Sequence, residues 1–342
     1  MCAGRLYLYL ISAGYGRGET PPRPWILNLG VNFMHLAKAP GKRRFRLTKR
    51  VRDNFNAYLF LLPTLILFCA FTIYPFFNAF YIALCQWDGL TDIQFIGLAN
   101  FKRLFQDKRV FEYLGHNLVF GFWTVLGKTV LAFIIALFLR EKFKGVTFFT
   151  ATFFLPVMMS FVAIGMLWKF ILNPTSGLIN SIGMKLGLFQ MNNAPGWLGD
   201  PNMAMGCIIM ADIWRWTGYH VVIFLAGLKS IPDDMYEAAM VDGANDWQQL
   251  IHITIPQMRV ITLTNMIFCM TGAISVFDLV FTMTTGGPYN STKVIALYVY
   301  EQAFGTNARM GYATAINIFL FVIILLITTF MMKLMDHAKN NT

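Results

Sequence analysis

Charge is what this sequence has least of. Of 342 residues only 17 are Asp or Glu, and the four charged types together reach 13%, about half the ~25% of an ordinary soluble domain. With 56% hydrophobic residues and a mean hydropathy of +0.54, that deficit excludes a chain folded wholly in water and points to the bilayer. Cysteine is also sparse. The five show no C-x-x-C or zinc spacing, and Cys69, Cys85, Cys207 and Cys269 lie in or beside apolar segments, where they read as small packing residues. A phosphate loop is missing too. The stretch "GFWTVLGKT", Gly121 to Thr129, places five residues between its glycines where the motif G-x-x-x-x-G-K-[ST] has four, and no strand precedes it. No nucleophile has a base beside it, and His116 and His220 do not make a metal site. The sequence therefore predicts no enzyme, no metal and no cofactor in this chain.

What is present is long apolar runs. A spanning helix needs roughly 20 apolar residues, and from Asn54 to Trp87 there is no charged residue at all. Six spans are expected, at about 57–86, 117–139, 148–172, 205–228, 260–284 and 312–335, giving an all-α polytopic membrane protein. The net charge of +11 gathers largely in Lys38, Lys42, Arg43, Arg44, Arg46, Lys49, Arg50 and Arg52. Placed before the first span, that cluster reads as a cytoplasmic anchor under the positive-inside rule and not as a nucleic-acid surface. Together with Arg140 to Gly145 and the tail bearing Lys333 and Lys339, it puts both termini on the cytoplasmic side of the membrane. Residues 1–53 are expected to be a largely disordered basic extension to a membrane domain at 54–338, with translation beginning at Met34.

Ionisable residues within spans are costly and face protein or water. Asp212 and Arg215 are three residues apart on one helical face, close enough to pair. Trp214, Trp216, Tyr219 and His220 surround them, and flat aromatic faces with directional polar groups suit a sugar ring. The same residues equally suit a structural ion pair with interfacial aromatics. Asn265 and Asp278 on the fifth span are further candidates for the solute path, Asp278 also suiting a cap or an inter-subunit contact. Lys128 either snorkels or pairs with a partner helix.

The loop at 229–259 is the polar exception. Ser230 and Asp233 have capping-box spacing, Pro232 suits a first turn, and Asp233 and Asp234 complement the helix dipole. Gly243 sits where a left-handed C-terminal cap is wanted. Asn245 with Gln248 repeats the capping logic for a second helix, which Pro256 helps to end. The expected product is a helix, a sharp turn and a second helix, with Ala238 and Ala239 permitting close docking.

"EAAMVDGANDWQQLIHITIP" resembles the EAA signature of the membrane subunits of binding-protein-dependent ABC importers, with Glu237, Ala238, Ala239, Asp242, Gly243, Ala244, Ile253 and Pro256 on its positions. The likeness extends through "WDGL", "FIGLANFKRLFQD", "NPTSGLIN", "GWLGDP", "IWRWTGYHVVIFLAGLKSIP" and "VFDLVFTMTTGGPYNSTKVIALYVYEQAF". These resemble the carbohydrate-uptake branch, related to maltose and glycerol-3-phosphate permeases. The chain departs at Val260, where the family often has a proline.

The resemblance implies a permease subunit in a bacterial cytoplasmic (inner) membrane, importing a sugar, an oligosaccharide above all, by alternating access. It implies a coupling helix in the 229–259 loop that docks in an ATPase subunit, with ATP and Mg handled there. The implied partners are a second homologous permease, two ATPase subunits, an extracytoplasmic solute-binding protein, membrane lipid and the sugar, with no nucleic acid. Glycerol-3-phosphate or another polar solute is the alternative cargo. A secondary transporter would need no docking loop and would carry coupling-ion residues in its own spans. A receptor or scaffold is the third reading.

Overall fold

A computed structural model of the chain describes residues 49–141, 144–188, 190 and 193–340, with side chains from 58 to 337 within those segments. The expected start at Met34, and the part of the expected disorder that falls on residues 1–48, lie outside the described residues. The chain forms two compact units, Met1–Leu62 and Pro63–Thr342. The described part of the first belongs to helix α1 (Lys49–Phe68), which begins within the basic arm.

In the second unit the remainder of α1 passes through a π turn, Cys69–Ile73, into α2 (Tyr74–Ala83). The Tyr74 N–H donates to the Cys69 carbonyl, five residues back. The wide turn precedes Pro75, whose ring and missing donor oppose an ordinary α turn. Strands β1 (Cys85–Gln86) and β2 (Gln94–Phe95) then pair antiparallel, Cys85 opposite Phe95 and Gln86 opposite Gln94. Helix α3 (Ala99–Gln106) is tied to them by Asn100, whose amide donates to the carbonyls of Ala83 and Cys85 at 2.8 and 2.9 Å. There follow α4 (Lys108–Arg140), α5 (Val146–Met158), α6 (Phe161–Ile171), α7 (Leu178–Lys185) and α8 (Ala204–Leu228). The rest of the chain forms α9 (Asp233–Val241), α10 (Asp246–Gln257), α11 (Arg259–Ile274), α12 (Asp278–Met283), α13 (Ile295–Phe304) and α14 (Met310–Asn340).

Three single helical stretches are long and apolar enough to cross a membrane: Tyr58–Ala83, Lys108–Arg140 and Met310–His337. Two bent pairs, α5 with α6 at 100° and α10 with α11 at 62°, bring the number of candidate spans among the described residues to as many as five. The expected third span at 148–172 is therefore not one rod. Pro156 sits in the last turn of α5, Met159 is extended, and Ser160 caps α6 by accepting from the Ala163 N–H at 3.2 Å. The expected fifth span at 260–284 is also divided, because α11 stops at Ile274 and Asp278 opens the separate helix α12. The expected fourth span, 205–228, coincides with α8 but falls short of the apolar standard the others meet. Its Asp212, Arg215 and His220 lower its hydropathy, and all three are buried in protein.

Helix α8 runs through the middle of the second unit, packing most extensively on α4 and also on α5, α6, α11 and α12. Gly218 makes the α5 contact possible, since a Cβ there would collide with the Phe153 carbonyl. One core cluster, including Phe120, Ile164, Ile208, Leu279 and Met283, sits where α4, α6, α8 and α12 converge, and a second, including Ala136, Phe224, Leu228 and Met258, where α4 and α8 meet the start of α11. A third, with Leu104, Val110, Tyr298 and Tyr312, joins α3, α4, α13 and α14.

Above that third cluster Asp107 caps α4. Its carboxylate accepts from the Arg109 N–H and from Arg109 Nε (3.0 Å), and from the hydroxyls of Tyr298 (2.7 Å) and Tyr312 (3.0 Å). Burial pushes the Asp107 carboxyl up, but the hydrogen bonds from Arg109, Tyr298 and Tyr312 outweigh it and lower its pKa from 3.8 to about 2.

Candidate functional site

The polar residues of α4, α8 and α11 converge in the interior. Lys128 of α4 forms an ion pair with Asp212 of α8, Nζ to Oδ2 2.5 Å, and both side chains are nearly sealed from solvent, at 5% and 6% exposure. Neither charge alone would be tolerated there, whereas the pair compensates itself. This corrects the expected Asp212–Arg215 pair. The spacing of three allows that contact, but the longer reach of Lys128 from the neighbouring helix captures the carboxylate first. Of the two readings of Lys128, pairing with a partner helix holds. Arg215 instead donates from Nη2 to the Met159 carbonyl at 3.0 Å, and its guanidinium lies 3.5 Å from the Phe161 ring centroid and 4.8 Å from that of Trp216. Arg215 thus fastens the α5–α6 break, where Met159 has left the helix and its carbonyl is free to accept.

His220 and Asn265 are joined across α8 and α11, Nδ1 to Oδ1 at 2.6 Å. With the Asn265 oxygen accepting, Nδ1 carries the proton and Nε2 faces the Cys269 thiol at 3.3 Å. Asn265 Nδ2 and Arg215 Nε and Nη1 are buried with no hydrogen-bond partner among the described residues, the kind of donor a water or a solute hydroxyl satisfies.

Beside this network lies a cavity of about 280 Å³. Asp212, Trp216, Tyr219, His220 and Asp278, all singled out in the sequence, line it together with Lys128, Phe161, Phe268, Cys269, Gly272, Ser275 and Phe277. Arg215 and Asn265 stand behind the wall. Phe161 and Phe268 carried no signal in the sequence, since an apolar residue within a span has no distinguishing neighbour. Asp278 lies in the first turn of α12, where Phe277 is the N-cap and makes no side-chain cap bond. It is exposed.

The polar loop folds largely as its residues dictate. Helix α9 ends at Val241 with Asp242 as its C-cap, Gly243 follows at φ +82°, and the N–H groups of Gly243 and Ala244 return to the carbonyls of Met240 (3.1 Å) and Ala239 (2.9 Å). That double bond is a Schellman ending, which requires the left-handed residue. Asn245 and Gln248 form a reciprocal capping box at 2.8 and 2.9 Å. Two expectations fail. Ser230 does not cap α9; its hydroxyl donates to the Gly227 carbonyl at 2.7 Å, closing α8. Pro256 does not end the second helix, which continues through a π turn at Leu250–Thr254 to Gln257. Ala239, Asp242, Gly243, Ala244 and Ile253 share one open cleft of about 340 Å³. Glu237, Ala238 and Pro256 lie outside its lining and are exposed. Met240, Val241 and Trp247 are also strongly exposed, at 57%, 88% and 68%. From beneath, Tyr236 anchors α9, its hydroxyl 3.0 Å from that of Thr254 and its ring 4.2 Å under the Arg140 guanidinium.

Comparison with known proteins gives this geometry relatives. Residues 128–340 match the family model described as "Binding-protein-dependent transport system inner membrane component". The chain is 33% identical to the multiple sugar-binding transport system permease protein MsmF of Streptococcus mutans over 287 residues, 84% of this chain and 97% of that one. It is 32% identical to the lactose transport system permease protein LacF of Rhizobium radiobacter, over 82% of this chain and 92% of that one. Among solved structures it resembles a bacterial ABC transporter involved in the import of the acidic polysaccharide alginate (TM-score 0.75, 26% identity, 85% of this chain and 99% of that chain). A chain of the bacterial alginate transporter in complex with an alginate pentasaccharide-bound periplasmic protein gives a TM-score of 0.73 at 26% identity, over 84% and 96%.

Proposed function

The chain belongs to the family of binding-protein-dependent transport system inner membrane components, and from that premise we propose that it is the membrane permease subunit of an ATP-driven sugar importer with an oligosaccharide as cargo. The observation that carries this reading is likeness to sugar-transport permeases over more than four fifths of the chain. The aromatic and polar cavity between α8, α11 and α12 serves as the solute path, opened in turn to each side of the membrane. The loop from α9 to α10 serves as the coupling element. Its rigid corner at Gly243, its small residues Ala238, Ala239 and Ala244, and its exposed Val241 and Trp247 offer a compact surface to a separate ATPase subunit that holds ATP and Mg. A second permease, two ATPases and a solute-binding protein complete the assembly, the last in keeping with the complex formed by the alginate transporter.

Six spans follow if α8 is counted as a span. Hydropathy penalises Asp212, Arg215 and His220 as though they met lipid, but they meet protein. At about 1.5 Å per residue, the 25 residues of α8 cover the ~30 Å hydrocarbon layer. Both termini then lie on one side, which the basic arm before the first span makes the cytoplasmic one. The test is to isolate the chain with its co-expressed partners and reconstitute them with the binding protein. Uptake of labelled oligosaccharide should require ATP and stop when hydrolysis is blocked; uptake that persists without hydrolysis would remove the importer reading.

A further inference from the structure

We infer that Asp278 makes the solute cavity selective by charge, admitting neutral or amine-bearing saccharides and rejecting uronates and phosphosugars. This inference rests on the cavity being the solute path, and it concerns which class of sugar takes it. Two cations, Lys128 and Arg215, and two carboxylates, Asp212 and Asp278, lie at or behind the cavity wall. Lys128, the cation in the wall, is held by Asp212, and both are nearly sealed. A solute anion that took the ammonium would strand a buried carboxylate, which is strongly unfavourable. Arg215 is outside the lining, its guanidinium covered by the Phe161 ring that forms part of the wall and its Nη2 held by the Met159 carbonyl. Its charge softens the field of Asp278, and its two unpartnered donors, Nε and Nη1, are buried behind the wall. Asp278 is different. It lines the cavity, is exposed, and has no ion-pair partner among the described residues. An entering solute therefore meets aromatic faces from Trp216, Tyr219 and Phe277 and one carboxylate that no ion pair holds. Sugar rings stack on such faces whatever their charge, so the carboxylate discriminates.

The test reads the cavity directly, without the binding protein. Ser275 lines the same wall and is exposed. Ser275→Cys in the full-length chain, in membranes and with the native cysteines replaced, is labelled with trimethylammonioethyl, sulfonatoethyl and uncharged methyl methanethiosulfonates. Each transfers its thioalkyl group to the thiolate and releases methanesulfinate. Normalised to a free thiol in solution, the cationic reagent should react faster than the anionic one by on the order of tenfold, as a nearby unit charge dictates in a water-filled cavity. Asp278→Asn should bring the ratio near one, and Asp278→Lys should invert it. An unchanged rate with the uncharged reagent shows that the fold and access are intact. A ratio near one in the parent, or one indifferent to Asp278→Asn, overturns the inference while leaving ATP-dependent uptake as the separate measure of the transport reading.

Discussion

At the scale of single residues, backbone geometry decides more than side-chain chemistry. Gly243 at φ +82° has open space where a Cβ would stand, with nothing within 4 Å of that position, so replacing it costs conformational energy and no clash. Gly243→Leu should cost about 1–2 kcal/mol at the corner, leave the chain inserted, and separate ATP hydrolysis from uptake; wild-type uptake at wild-type hydrolysis would refute the coupling role. Gly218→Ala is the opposite case. Its methyl group meets the Phe153 carbonyl, and overpacking of this kind costs about 1–3 kcal/mol, so the melting temperature in detergent should fall by several degrees. Asp107 supplies a pH dependence. Its folded pKa, about 2, lies below the ordinary 3.8, so its contribution is fully present above pH ~4 and is lost as pH falls towards 2. Stability measured over that window should drop, and Asp107→Asn should be less stable at neutral pH and lack that component of the drop.

At the scale of elements, the apolar runs and the capped loop were legible in the sequence and the breaks were not. Asn245 with Gln248, and Gly243 after a run of helix formers, are local signals, and they fold as local rules require. Breaks depend on partners far away. Pro156 within "TATFFLPVMMSFV" looks like a tolerable kink, yet α5 turns 100° into α6, and the freed Met159 carbonyl is taken by Arg215, 56 residues on. Pro256 looks like a stop, and the π turn absorbs it, as another does before Pro75. The partner of Lys128 also escaped, since the sequence offers pairing with another helix but shows neighbours only at three and four residues, which pair Asp212 with Arg215 instead. Removing one partner by Lys128→Met should cost about 3–5 kcal/mol, whereas Lys128→Met with Asp212→Leu should recover most of it. Unfolding of the parent and the two variants in detergent checks this, and a double variant no better than the single would show that the pair does more than compensate itself.

At the scale of the whole molecule, family membership was legible because its signature is dense in the loop, while the number of crossings was obscured by α8. A hydropathy sum treats every residue as lipid-facing, and α8 turns its charged residues toward α4, α5 and α11. Parity gives a decisive measurement. Six spans place both termini on one side; five place them on opposite sides. Reporter domains fused to residues 1 and 342 should both be active only in the cytoplasm, and opposite signals would remove α8 from the set of spans.

Asp107 also carries a consequence for the order of synthesis. Its two tyrosines stand 191 and 205 residues further along the chain, the second of them in the last helix. While the ribosome is still working, the Asp107 carboxylate has only its neighbour Arg109 as a partner, and only a chain completed through Tyr312 can close over it. The start of α4 is thus fastened to α14 only once synthesis has passed Tyr312.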